Sequence, residues 1–307
     1  MANTTGEIRS TVREYLLEHP QVGTKEAASE LGCSRRTVRR AKAEIGRGFE
    51  QEKMPRILIF DIETSPMEAF IWRPGKQYIG PDNIIKDWAI LSWSAKWFYE
   101  SKIMSAVVTP REAKARTDRS VIKSLWNLIN EADVVIAHNA ARFDLPKSNS
   151  RFLLNGLPKP MPYKTIDTLQ VVKSNFAFSS NKLDYLNLIM NRRQKIETNY
   201  SLWKRCVAGE LDALKEMERY NRGDVVALEE LYIELRHWVR PHPNMGLYCE
   251  GSGQMCPNCG SENLKWEGKY YTPAGRFKAF RCECGAVGRS RTSDLTKEQR
   301  QSLTISV

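Results

Sequence analysis

Apolar and polar positions follow two rhythms along this chain, and each predicts a different kind of element. Arg56-Ile57-Leu58-Ile59-Phe60-Asp61-Ile62-Glu63-Thr64 opens with consecutive β-branched, aliphatic and aromatic residues, which predicts a central strand covered on both faces. Residues 133–138 repeat the pattern before a polar turn, and residues 88–98 and 102–108 predict two neighbouring strands. With the first strand they predict an antiparallel meander that opens a mixed sheet. Trp88, Trp93 and Trp97 are read as packing within it. Helical spacing takes over in residues 119–130, which predict an amphipathic helix, and in residues 218–228. The latter helix is expected to continue through Leu231, Leu235 and Trp238 and to stop at Arg240-Pro241-His242-Pro243, because proline cannot extend a helix. Residues 65–86 hold several Pro and Gly and are expected to be loop.

The two ends of the chain have a different texture. Ile8, Val12, Leu16 and Leu17 recur at helical spacing before His19-Pro20. Residues 24–31 predict a short second helix with Thr24 as N-cap, Gly32-Cys33 a turn, and Ser34 the cap of a third helix. In that third helix Arg35, Arg36, Arg39, Arg40 and Lys42 stand against Glu44 alone, while Val38, Ala41 and Ile45 face inward. This resembles a helix-turn-helix unit with its basic helix in the recognition position; a helical packing or docking domain is the other reading. Near the other end, Cys256-Pro-Asn-Cys259-Gly and Cys282-Glu-Cys284-Gly form two paired-cysteine knuckles. Four thiolates at this spacing look like a zinc ribbon around one structural Zn²⁺. Cys33 and Cys206 are read as buried small residues, with Cys249 as an outside candidate ligand. Lys, Arg and aromatic residues interleave between the knuckles, a pattern suited either to base stacking or to covering a small core.

Candidate chemistry concentrates where the central strand ends. Asp61 and Glu63 are two residues apart, so a strand through Glu63 points both carboxylates to one face. Such a pair repels unless a cation lies between, and Mg²⁺ or Mn²⁺ favours oxygen ligands. Asp144 ends His138-Asn139-Ala-Ala-Arg142-Phe143-Asp144, just before a helix whose first turn accepts Pro146. Tyr220 and Asp224, four apart in Tyr220-Asn221-Arg222-Gly223-Asp224, share one helix face. Gly223 beside them leaves room for another backbone or a substrate. Asp167 is read first as a helix N-cap and second as a further acidic site residue. Residues 163–182 are rich in Lys, Ser, Asn and Phe, suited to tracking a sugar-phosphate backbone.

In order, these three motifs resemble the DEDDy subclass of 3′-to-5′ exonucleases, a ribonuclease H-like family that includes polymerase proofreading domains. The local detail is most similar to relatives that phages and bacteria encode as separate proteins. The resemblance implies two Mg²⁺ or Mn²⁺ ions about 4 Å apart on the scissile phosphate. Asp61 would bridge them, Glu63 and Asp224 would complete one site, Asp144 would help hold the second largely through water, and Tyr220 would orient the attacking water. His138, Asn139 and Phe143 are its implied nucleic-acid contacts, beside Arg35, Arg36, Arg39 and Arg40 of the basic helix.

The expected layout is α/β: a helix-turn-helix domain over residues 1–48, a ribonuclease H-like mixed sheet flanked by helices over 55–241, a zinc ribbon over 250–292 and a tail over 293–307. The net charge of +11 favours a polyanionic partner. The chain shows no signal-peptide pattern and no apolar run of about 20 residues, the length that spans a bilayer. A soluble, cytoplasmic protein without a membrane partner is expected, in the host cytoplasm if phage-encoded. The expected activity is hydrolysis of DNA from single-stranded or frayed 3′ ends, in partnership with a separate DNA polymerase or replisome component if it proofreads. RNA as substrate, a transposase-like enzyme and a non-catalytic DNA-binding regulator are the alternatives.

Overall fold

A computed structural model of the chain describes residues 12, 15–16, 19, 22–35, 37–38, 54–192, 198–249 and 253–305. Its centre is strand β1 (Ile57–Thr64). Two short strands follow, β2 (Glu68–Ala69) and β3 (Ile84–Lys86), and then β4 (Ile90–Trp97) and β5 (Ile103–Val107). β6 (Val134–Ala137) and β7 (Lys164–Asp167) complete a five-stranded sheet of order β5-β4-β1-β6-β7. β1 runs antiparallel to β4, with Leu58 opposite Trp97, and parallel to β6, with Ile57 opposite Val134. The sheet is therefore mixed, as expected, and the parallel pairing of β1 with β6 completes it.

Burial explains why β1 is central. Leu58, Phe60 and Ile62 alternate into a core shared with Ile122, Leu125 and Ile129 of an amphipathic helix between β5 and β6. Ile57 and Ile59 point the other way, towards Val225, Leu228, Leu231 and Tyr232. Each such side chain contributes about 1.5–3 kcal/mol by leaving water. Because the side-chain period is two, Asp61 and Glu63 continue the row of Ile57 and Ile59.

Among the described residues, the helices in chain order are α1 (Thr24–Glu30), α2 (Pro110–Ala115), α3 (Arg119–Glu131), α4 (Asp144–Leu154), α5 (Thr168–Asn175), α6 (Leu183–Ile189), α7 (Tyr200–Val207), α8 (Leu211–Leu235) and α9 (Lys297–Gln301). α8 crosses β1, β4 and β5, and Gly223 sits half-buried within it without interrupting it. Asp118 fixes α4. This buried carboxylate accepts from Arg151 Nε (2.6 Å) and Nη2 (2.9 Å) and from the Ile90 amide (3.0 Å). No helix among the described residues is long and apolar enough to cross a membrane.

Several local expectations are corrected. Residues 65–86 are not all loop: β2 and β3 pair antiparallel, because the prolines and glycines cluster at 66, 74–75 and 80–81 and leave the segment's two ends free to pair. Trp93 and Trp97 are buried, but Trp88 is half-exposed, with Lys147 Nζ 3.7 Å from its ring centroid. The N-cap of α1 is Gly23; Thr24 is the first helical residue and makes no capping bond. Cys33 is half-buried, whereas Cys206 is buried as expected. Ser34 does accept from the Thr37 amide at 3.1 Å, and Val12, Leu16, Ala27, Ala28 and Val38 form a small separate core. Ile8, Leu17, Ala41, Lys42, Glu44 and Ile45 lie outside the described residues.

Behind the sheet domain, β8 (Leu264–Thr272), β9 (Gly275–Cys282) and β10 (Val287–Arg289) form an antiparallel three-stranded sheet. It abuts the end of α8: Asn258 donates to the Arg236 carbonyl at 2.8 Å, and the His237 ring faces Gly285. Ser293 and Asp294 bond to this sheet, Ser293 Oγ donating to the Arg276 carbonyl at 2.9 Å. The Asp294 amide donates to the Arg276 carbonyl (2.9 Å), and its carboxylate pairs with Arg276 (2.9 Å) and Lys269.

Candidate nuclease site and thiolate cluster

The carboxylates of Asp61, Glu63 and Asp224 converge, with ligand atoms all within 4.8 Å of one another. β1 supplies the first two and α8 the third. Three negative charges this close repel strongly, and hard oxygen donors so arranged fit a divalent cation. Asn221 Nδ2 donates to Asp61 Oδ2 at 2.5 Å, and Ser92 Oγ donates to Asn221 Oδ1 at 3.4 Å. Tyr220 is buried on the same helix, its ring set edge-on to Trp203 of α7 with centroids 6.0 Å apart.

Asp144 is not part of this mutually close group. It begins α4, is almost wholly buried, and neither carboxylate oxygen completes a hydrogen bond among the described residues. Burial pushes its pKa up to about 7, opposed by the nearby Ile62 and Asp144 amides. The carboxyl lies beside Ile62, the strand residue between Asp61 and Glu63.

The turn between β6 and α4 is held by Asp167. Its carboxylate accepts from the Asn139 and Ala141 amides, both at 3.0 Å, while capping α5 through Leu169 (3.1 Å) and Gln170 (3.4 Å). Asn139 adopts φ 79°, a left-handed conformation that Asn tolerates better than most residues. His138 is pinned by Thr168 Oγ1 and the Asn181 carbonyl, each at 2.9 Å. Both readings of Asp167 thus meet in one side chain: it caps a helix and shapes the site's wall.

A cavity of about 1020 Å³ opens over the acidic cluster. Asp61, Glu63, Tyr220 and Asp224 face it, with His138, Asn139 and Phe143 on one wall and Lys173, Lys182 and Tyr185 on another. Of the expected nucleic-acid contacts, Arg35 is exposed on the small helical unit, and Arg36, Arg39 and Arg40 lie outside the described residues. Asn221 and Lys173 are additions. Met217, Asn221, Asp224 and Leu228 form one helical stripe, so a buried Asn there was detectable by spacing. Lys173 follows Leu169 by one helical turn, and both reach the cavity.

The four cysteines also meet. Cys256 Sγ lies 3.7 Å from Cys284 Sγ, and Cys259 Sγ 3.6 Å from Cys282 Sγ. A disulfide would bring them to about 2 Å, whereas thiolates about 2.3 Å from a tetrahedral zinc stand about 3.8 Å apart. The cluster is compatible with a zinc ribbon despite the shortened second knuckle. Cys249 stays outside it, donating to Met54 Sδ at 3.6 Å and the Met245 carbonyl at 3.5 Å.

Comparison with known families gives a match to the RNase_H superfamily over residues 92–236. The fold is ribonuclease H-like. The matched segment carries Asp144, Tyr220 and Asp224 and starts within β4, after the strand that holds Asp61 and Glu63. A ribonuclease H-like fold with clustered carboxylates supports a nuclease-type function and a nucleic-acid substrate. Among solved structures, the chain is similar to the family B DNA polymerase of the hyperthermophilic archaeon Pyrobaculum calidifontis, at 16% identity and a TM-score of 0.43. That similarity covers 73% of this chain and 32% of the polymerase, so the chain spans about a third of its length. No curated protein matches in sequence.

Proposed function

We propose that this protein is a metal-dependent 3′-to-5′ exonuclease of the DEDDy type that hydrolyses phosphodiester bonds of DNA at single-stranded or frayed 3′ ends. The observation that carries this reading is the convergence of Asp61, Glu63 and Asp224 within 4.8 Å, beside Tyr220 in one cavity. Asp61, Glu63 and Asp224 would hold one Mg²⁺ or Mn²⁺, and Asp144 would help hold a second. When bound, such ions neutralise the scissile phosphate and acidify the attacking water.

The chain's own residues supply the rest. Asn221 orients Asp61. Tyr220, which faces the same cavity, positions the attacking water through its hydroxyl. Lys173 and Lys182 face the phosphates of the incoming strand, while Phe143 and Tyr185 offer flat surfaces to its bases. A cavity of about 1020 Å³ over the carboxylates has room for the end of an unstacked strand. Cys256, Cys259, Cys282 and Cys284 would hold one structural zinc, and Arg35 with Arg36, Arg39 and Arg40 would grip DNA from the helix-turn-helix unit.

The test is turnover on matched DNA and RNA oligonucleotides with Mg²⁺ or Mn²⁺, comparing the native protein with Asp224→Asn. The reading expects DNA to be the better substrate and Asp224→Asn to abolish cleavage. Preferential RNA cleavage would make the enzyme a ribonuclease, and no cleavage of either would leave a binding protein.

A further inference from the structure

We infer that residues 66–86 form an arm that captures single-stranded polynucleotide outside the catalytic cavity and guides its end inward. The inference rests on the nuclease reading for the class of partner; the surface itself is read from the arm's side chains. Trp72 is 99% exposed, Tyr78 90% and Phe70 74%. Three large aromatics standing in water on one short segment form a surface that calls for a partner. Arg73 and Lys76 lie between them in sequence. Aromatics interleaved with cations are the chemistry that holds single strands, with bases stacking on rings and phosphates meeting the charges.

The arm has a fixed base and an open tip. β2 and β3 pair, the Phe70 amide donates to the Asn83 carbonyl at 2.9 Å, and Glu68 is engaged by Lys86 at 3.6 Å and by Arg116 at 2.5 Å. Glu68 is thereby neutralised, which leaves Asp82 as the arm's other acid. The base also connects to the catalytic cavity. Trp88 follows β3 by two residues; Lys147 Nζ lies 3.7 Å from the Trp88 ring centroid and 5.3 Å from that of Phe143, and Phe143 faces the cavity beside Asp61. A basic and aromatic track thus runs from the arm's base to the cavity. β1 leads directly into the arm, so the polynucleotide it holds is delivered to the strand end that bears Asp61 and Glu63.

The arm is tested with the full chain carrying Asp61→Ala, which prevents cleavage, by fluorescence anisotropy on a 5′-fluorescein-labelled 20-nucleotide oligothymidylate. Adding Trp72→Ala and Tyr78→Ala is expected to weaken binding by roughly thirtyfold or more, the scale of losing base stacking on two rings. Arg73→Glu with Lys76→Glu should weaken it as well and flatten its salt dependence. Both pairs are solvent-exposed, so thermal melting should not move. Unchanged affinity in the aromatic pair would overturn the inference. So would loss of self-association by that pair in analytical ultracentrifugation with oligonucleotide binding intact, which would make the arm a contact between copies. A separate assay with thymidine 5′-(p-nitrophenyl phosphate), which fills only the cavity, uses the otherwise native chain with and without the aromatic substitutions. Equal hydrolysis by both places the arm's effect outside the catalytic site. Absence of hydrolysis in both would sink the nuclease reading, while the binding result would still decide the arm.

Discussion

Asn221 shows how one polar side chain on the core face of a helix reaches into the chemistry. Its amide donates to Asp61 at the cavity wall, with Ser92 behind it, and both Asn221 and Ser92 are fully buried. Partners of this kind, once removed, typically cost roughly 10–100-fold in metal affinity or activity. Asn221→Ala is therefore expected to lower kcat by about that factor and to weaken Mn²⁺ binding in calorimetry, with little change in KM for DNA. Unaltered values would mean that the strand backbone alone orients Asp61. The neighbouring Asp61 and Glu63 were legible because strand periodicity is rigid: two residues apart on a buried strand means one face. Asp144 was legible as a position but not as an environment, since its burial beside Ile62 depends on how α4 docks through Arg151 and Asp118.

At the scale of elements, the turn from β6 into α4 depends on a carboxylate from a different part of the chain. Asp167 serves four amides, two of them in its own helix and two in the turn. Losing an N-cap costs about 1 kcal/mol, and each of the two half-exposed turn hydrogen bonds about 0.5–1.5 kcal/mol. Asp167→Ala is expected to lose about 2–4 kcal/mol in urea unfolding, and activity should fall further than stability because His138 and Asn139 shift. Asn139→Gly should be tolerated at φ 79°, while Asn139→Val should cost about 1–2 kcal/mol. A neutral Asn139→Val would show that the turn is not held left-handed. The capping half of Asp167 could be read from its position before a helix. The other half pairs residues 28 and 26 apart in sequence, which no local pattern encodes. Likewise, the pairing of β2 with β3 was hidden by the prolines and glycines between them.

For the whole molecule, α8 is the shared part: it carries Tyr220, Asn221 and Asp224, and its far end meets the thiolate ribbon through Asn258 and Gly285. The paired cysteines were legible because thiolate spacing is a local signal, but their seat on the end of α8 was not. A unit with so few buried apolar residues would depend on an ion held by its four cysteines. Cys256→Ser should therefore expose residues 253–292 to hydrogen exchange while β1 stays protected; retained protection in both would argue against a structural metal. The central claim, that Asp61 anchors a 3′-to-5′ exonuclease site, is tested most directly on a 5′-labelled single-stranded DNA oligonucleotide with Mg²⁺ or Mn²⁺. The native protein should yield a ladder of progressively shorter labelled products, and Asp61→Ala should yield none. Immediate release of a labelled mononucleotide, or a ladder that persists in Asp61→Ala, would contradict the account.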